Sequence, residues 1–123
     1  MSGERRFTIE QANAELEGLR ERLPRLREAR RELIRATERI TEAVAADGGG
    51  VAGGDWFGAQ RILRTEVTEL AERGILLRDP ETGLVDFPAE LEGRRVYLCW
   101  RLGEGEVGFY HDETSGYSGR KRL

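Results

Sequence analysis

Five side chains in the last third of the chain could do chemistry: Asp86, Cys99, Glu104, His111 and Arg120. His111 is the only histidine and Cys99 the only cysteine. Imidazole titrates near neutrality, so His111 suits a general base or a metal ligand. It equally suits a strand end, where a backbone carbonyl satisfies the ring. Cys99 offers a thiolate nucleophile or a soft metal ligand, or, in mid-strand, a small buried hydrophobe. Asp86 stands in a short apolar strand, where a carboxylate needs a partner. Arg101 and Arg120 are the candidates, for a structural salt bridge or for a ligand-holding carboxylate. Arg120 can grip an anion with two hydrogen bonds. Glu104 and Glu106 flank a glycine turn, where both can be solvated. His111, Asp86 and Glu104, with Cys99 beside them, are ligand types for a divalent metal. No two of them show a tight ligand spacing.

The elements that must position these residues follow from periodicity. From Ile75 onward the apolar residues recur every second position, the period of a half-buried strand. Ile75 to Arg78 reads as a strand. Asp79-Pro80-Glu81-Thr82-Gly83 reads as a turn, with Pro presetting φ and Gly taking the left-handed position; the same five residues form the turn of the designed mini-hairpin chignolin. Leu84 to Phe87 returns, and Pro88 stops it. Val96 to Leu102 is the clearest strand, and Glu106 to His111 follows a Gly103-Glu104-Gly105 turn. Alternation places Val85, Phe87, Val96, Leu98, Trp100, Leu102, Val107 and Phe109 on one face, with His111. Asp86, Tyr97, Cys99, Arg101, Glu106 and Tyr110 fall on the other. A face that mixes tyrosines, a thiol and charges calls for a cover. The aperiodic tail, residues 112–123, is close enough to supply it.

Ahead of the sheet, residues 8–46 read as one long helix. Thr8 and Gln11 fit a capping box, with Phe7 stapling to Ala12. Ile9, Ala12, Leu16, Leu19, Leu23, Leu26, Leu33, Ile40 and Val44 form a heptad seam interrupted by Arg30 and Thr37, and such a seam demands a partner helix. Pro24, inside it, predicts a bend near residues 20–24 or two shorter helices. Residues 47–55 form a Gly-rich connector; the phosphate-cradling alternative lacks the required Lys and Ser/Thr. A second helix from about Trp56 to Arg73, capped by Asp55 and ended by Gly74, carries Trp56, Gln60, Leu63, Val67 and Leu70. The helices form an antiparallel hairpin, with the second too short to cover the whole seam. Ile9 to Leu26 must therefore bury against the sheet or another chain, which leads us to expect a homodimer through the long helix. Arg30 on the seam would fix its register. The expected fold is α+β: a single domain (1–123) with a long antiparallel helical hairpin (8–74), then a small three- or four-stranded antiparallel sheet (75–111) and a tail (112–123).

The strings Gly83-Leu84-Val85-Asp86-Phe87-Pro88 and Val96-Tyr97-Leu98-Cys99-Trp100-Arg101-Leu102-Gly103-Glu104 are followed by Tyr110-His111 and Gly116-Tyr117-Ser118-Gly119-Arg120. In that order they resemble the small bacterial family known as domain of unknown function 2203. Thr8-Ile9-Glu10-Gln11-Ala12-Asn13 before a charged helix resembles it too. The early Leu-Pro pair of such proteins is absent here: Glu17 follows Leu16, and the proline comes at Pro24. The resemblance implies no activity. It implies a helical hairpin joined to a small sheet, and points to Asp86, Cys99, Glu104, His111 and Arg120.

Composition narrows the function classes. The chain has 123 residues, with 23 acidic and 20 basic side chains and a formal net charge of −3. Three adjacent cations, Arg120-Lys121-Arg122, do not outweigh that balance, so nucleic acid is an unlikely partner. Lys121 is the only lysine against 19 arginines, a bias that a GC-rich genome explains. No apolar run spans a bilayer and no signal-peptide pattern opens the chain, so a cytoplasmic protein is expected. Two readings stand. One is a homodimeric interaction or structural module. The alternative is a metal- or small-anion-binding site, enzymatic or not, at the sheet end around His111, Asp86 and Glu104, with a divalent metal as the cofactor.

Overall fold

A computed structural model describes residues 5–47 and 53–123. Helix α1 (Ile9–Asp47) is 39 residues long, and α2 (Gly54–Glu72) runs back against it. The α1 N-terminus is the reciprocal capping box: the Gln11 N–H donates to Thr8 Oγ1 at 3.0 Å, and the Thr8 N–H to Gln11 Oε1 at 2.9 Å. Phe7 and Ala12, its staple residues, are both buried. The helix continues unbroken through Pro24, so the alternative of two shorter helices is not realised. The reading of 47–55 as connector or phosphate loop falls mostly outside the described residues.

Asp55 does not cap α2. The cap is Gly53, without a side-chain bond, and Asp55 lies in the first turn, 3.1 Å from Arg39. At the other end Gly74 has φ +81°, its N–H reaching Ala71 O and that of Ile75 reaching Leu70 O. This is the two-bond C-terminal motif that a left-handed glycine permits.

The seam between the helices differs from the expected one. On α2 the inward positions are Trp56, Ala59, Leu63, Glu66 and Leu70, with Val67 left exposed. On α1 the seam continues past Leu26 through Ala29 and Ala36 rather than through Arg30 and Thr37. Arg30 is half-exposed and pairs with Glu81 in the β1–β2 turn, so it does not sit at the centre of a seam. Glu66 went unrecognised because it is charged. It is buried between Arg22 and Arg25, which approach its two oxygens at 3.0 and 3.1 Å.

The sheet is an antiparallel meander of five strands, not three or four: β1 (Leu76–Asp79), β2 (Leu84–Leu91), β3 (Arg94–Arg101), β4 (Phe109–His111) and β5 (Lys121–Arg122). The extra strand comes from the tail. Pro88 does not stop β2. The carbonyl of Pro88 accepts the Phe7 N–H at 2.7 Å on the side away from β3, so its missing N–H also faces that edge and no β2–β3 bond is lost. The β2–β3 turn is Glu92-Gly93, both with positive φ (51° and 76°), the form that right-twisted hairpins favour.

One face of the sheet packs on α1. Val85, Phe87, Val96, Leu98 and Trp100 join Ala12, Leu16, Leu19, Leu23 and Leu26 in one buried core. Phe7 meets Phe87 edge-on at 5.1 Å between ring centroids. The sheet therefore covers, within the chain, the N-terminal apolar positions from which the homodimer was inferred.

Candidate functional site

The other face of the sheet holds the chemistry. Register places Asp86 opposite Cys99, Cys99 opposite Phe109, and Tyr97 opposite His111. Cross-strand partners project to the same face. His111 and Phe109 thus share the polar face with Asp86, Tyr97 and Cys99, while Tyr110 turns to the helix side and packs against the core. This reverses the assignment that alternation made for β4. Alternation does not carry across residues 102–108, which are not strand. That loop is pinned from outside it: Asn13 Oδ1 accepts the Val107 N–H at 2.7 Å, and Gly105 O accepts Trp100 Nε1–H at 2.8 Å.

Asp86, Cys99 and His111 are 2%, 0% and 4% exposed. Each brings one ligand-type atom, and all these atoms lie within 4.8 Å of one another. His111 Nε2 is 3.0 Å from Asp86 Oδ2, and His111 Nδ1 is 2.7 Å from the Asp112 carbonyl oxygen. Arg78 Nε donates to the same Asp86 Oδ2 at 2.8 Å. Asp86 Oδ1 is buried with no hydrogen-bond partner among the described residues. The Tyr97 ring lies beside His111, centroids 5.4 Å apart, with the Arg78 guanidinium 5.2 Å from its centre. Burial, and then the nearby Asp86 charge, push the Cys99 thiol up to about 11.

Arg78 was the missed residue; Arg101 and Arg120 had been named as partners of Asp86. The register jumps from Leu77↔Val85 to Asp79↔Leu84, leaving Arg78 as the bulged residue aimed at Asp86. The signal was available, because Arg78 and Asp86 flank a recognisable hairpin turn. Arg101 instead lies 5.9 Å from the Tyr117 ring centre.

Arg120 and Glu104 form a second unit. Arg120 Nη1 and Nη2 reach the two Glu104 oxygens at 3.2 and 2.5 Å. Arg120 lies 3.9 Å from the Phe109 ring centre and 4.3 Å from that of Tyr117, and its Nη1 is 4.0 Å from Cys99 Sγ. Burial alone would raise the Glu104 carboxyl, but bonds from Arg120 and the Arg101 N–H outweigh it and hold the group below its usual range. With both oxygens taken, Glu104 is not among the clustered ligands, and Cys99 stands in its place. The tail does cover this face, through Tyr117 and Arg120.

The architecture is thus a helical hairpin on a five-stranded meander whose outer face encloses an Asp-Cys-His cluster. The chain belongs to the family described as "Uncharacterized conserved protein (DUF2203)", whose model matches residues 5–123. No curated protein and no solved structure matches it significantly. No helix of the described residues is long and apolar enough to cross a membrane.

Proposed function

We propose that the chain binds a zinc-type divalent metal through Asp86, Cys99 and His111. One observation carries this reading: donor atoms of three ligand types converge within 4.8 Å in a buried cluster. Thiolate, imidazole and carboxylate are zinc ligands, and three protein ligands leave a fourth position for water or substrate. The proton count supports it. His111 Nδ1 faces a carbonyl and so carries a hydrogen, which leaves the Nε2 lone pair facing the Asp86 carboxylate. Two acceptors face to face need either a second ring proton or a cation between them. A metal is such a cation, and the Asp112 carbonyl holds the tautomer that metal binding needs. Arg78 opposes the added charge, and the Cys99 proton must leave. Apparent affinity should therefore rise about tenfold per pH unit below the thiol's folded-state pKa.

The test is titration of metal-stripped protein with Co²⁺, followed by Zn²⁺ displacement. A stoichiometric thiolate-to-cobalt charge-transfer band is expected, lost in Cys99→Ser and His111→Gln and retained in Glu104→Gln. No band, or one that survives both ligand variants, refutes the reading.

A second reading, a homodimeric interaction module, is supported by apolar side chains exposed along the hairpin: Ile34, Val44, Phe57, Ile62 and Val67, with Phe57 62% exposed. Native mass spectrometry should show a dimer that Phe57→Ser weakens; a bare monomer at all concentrations sinks it. A reducing, cytoplasmic location suits the metal reading, because Cys99 can ligate only while it remains reduced.

A further inference from the structure

We infer that a cleft at the end of the sheet, separate from the buried cluster, binds a small organic oxyanion: a phosphate monoester or carboxylate on a flat apolar body. The cleft encloses about 430 Å³, within the range of roughly 300–1,000 Å³ typical of small-molecule sites. Val96 and Tyr110 provide its apolar wall, and Arg94, Arg95 and Lys121 its cations. The hydroxyl-bearing Thr114 and Ser115 close the far side.

The charge accounting points to an anion. Most arginines of this chain already hold a carboxylate, as Arg22, Arg78 and Arg120 do. The side chains of Arg94 and Lys121 form no ion pair or hydrogen bond with a described residue. Arg95 is engaged by Glu113 at 3.9 Å. The remaining acid, Asp112, is spent on its own turn. Its Oδ1 accepts the Thr114 N–H at 2.9 Å, the Ser115 N–H at 2.8 Å and the Thr114 hydroxyl at 3.1 Å. Arg94 begins β3 and Lys121 lies in β5, so two uncommitted cations flank the cleft from different strands. Lys121 is the register partner of Tyr110 on β4. A second cleft of about 250 Å³ shares Arg94 and Tyr110 and adds Arg122, with one carboxylate, Glu92, on its lining. An anionic head between Arg94 and Lys121 would leave its apolar body on the Tyr110 ring. Arg presents the planar fork that grips carboxylate and phosphate with two bonds. The inference does not rest on the metal reading, because none of these groups is in the Asp-Cys-His cluster.

The test is a titration of the metal-stripped full chain, followed by amide resonances, with phenyl phosphate and benzoate in parallel. Sodium chloride at matched ionic strength is the control. Saturable shifts confined to residues 94–96, 110–115 and 121 are expected, with phenyl phosphate tighter than benzoate if phosphate is the natural head and the reverse order if carboxylate is. The double variant Arg94→Ala with Lys121→Ala should weaken binding at least tenfold, and Arg64→Ala, on α2, should leave it unchanged. If the double variant does not fold, Arg94→Gln replaces it with the same expected direction. Shifts reproduced by sodium chloride, or variants of the two cleft cations that bind like the parent, overturn the inference.

Discussion

Alkaline pH should destabilise this protein through Cys99 in particular. The thiol is fully buried, and burial followed by the Asp86 charge raises it from 9.0 to about 11. The unfolded chain releases that proton near the lower value and the folded chain near the higher. Between them the folded state binds more protons, so stability falls as pH rises. Below pH 9 the thiol is neutral in both states and the effect is absent. One pKa unit corresponds to about 1.4 kcal/mol, so the gap of about two units gives a loss of about 2 kcal/mol by pH 11, approaching about 3 kcal/mol above it. Tyrosines and Lys121 titrate in the same range, so the assay must be differential. Urea denaturation of metal-free wild type and Cys99→Ala should be compared at closely spaced values from pH 8 to pH 11. The variant pays a constant cavity cost, but its alkaline slope should be shallower, and the stability difference between the two proteins should shrink by that amount. Asp86→Asn should lessen the wild-type slope only in part, because the charge is the second cause and burial the first. Parallel wild-type and Cys99→Ala curves across the window would refute the reasoning.

Three further outcomes are expected. Glu66→Ala removes a buried carboxylate shared by Arg22 and Arg25; both guanidiniums can rehydrate, so thermal denaturation should show a loss of about 1–2 kcal/mol rather than a full buried-pair penalty. Gly83→Ala meets both a φ of +73° and a Cβ only 2.7 Å from Leu102 Cβ, so it should cost more than ~1 kcal/mol in chemical denaturation; a neutral result would contradict the turn geometry. The Asp112 carboxyl is held down at about 2, first by the Ser115 and Thr114 N–H groups. Its contribution to stability is present above the ordinary 3.8 and is lost as pH falls toward 2, and Asp112→Ala should flatten that part of the acid-denaturation curve.

The features legible in the sequence are those whose causes lie within a few residues. Thr8 and Gln11 cap a helix because their partners are three positions apart. Gly74 ends α2 and Asp79 to Gly83 turn the chain because φ preferences and side-chain-to-backbone bonds act locally. Alternation in β2 and β3 placed Asp86 and Cys99 correctly, since both belong to continuous strands. His111 was assigned to the wrong face because its parity depends on residues 102–108, a loop held by Asn13, 94 residues from Val107 in the chain. Sequence spacing carries no record of that tether. Glu66 was passed over because burial of a carboxylate makes sense only once Arg22 and Arg25 are opposite it, and that pairing is set by how two helices align.

By itself, then, the amino-acid order determined two helices, the start of the first and the end of the second, the Asp79–Gly83 turn and a short roster of reactive residues. Tertiary structure decided which of those residues meet. The β1 bulge gives Asp86 to Arg78 rather than to Arg101 or Arg120, and the returning tail gives Arg120 to Glu104. Separating Glu104 from the other candidates and keeping Cys99 with Asp86 and His111 turned a loose set into a buried Asp-Cys-His cluster. The physical reason is one of range. Backbone preferences and capping bonds act over one turn, whereas cluster composition depends on strand register, and a single-residue change of register moves every side chain to the opposite face.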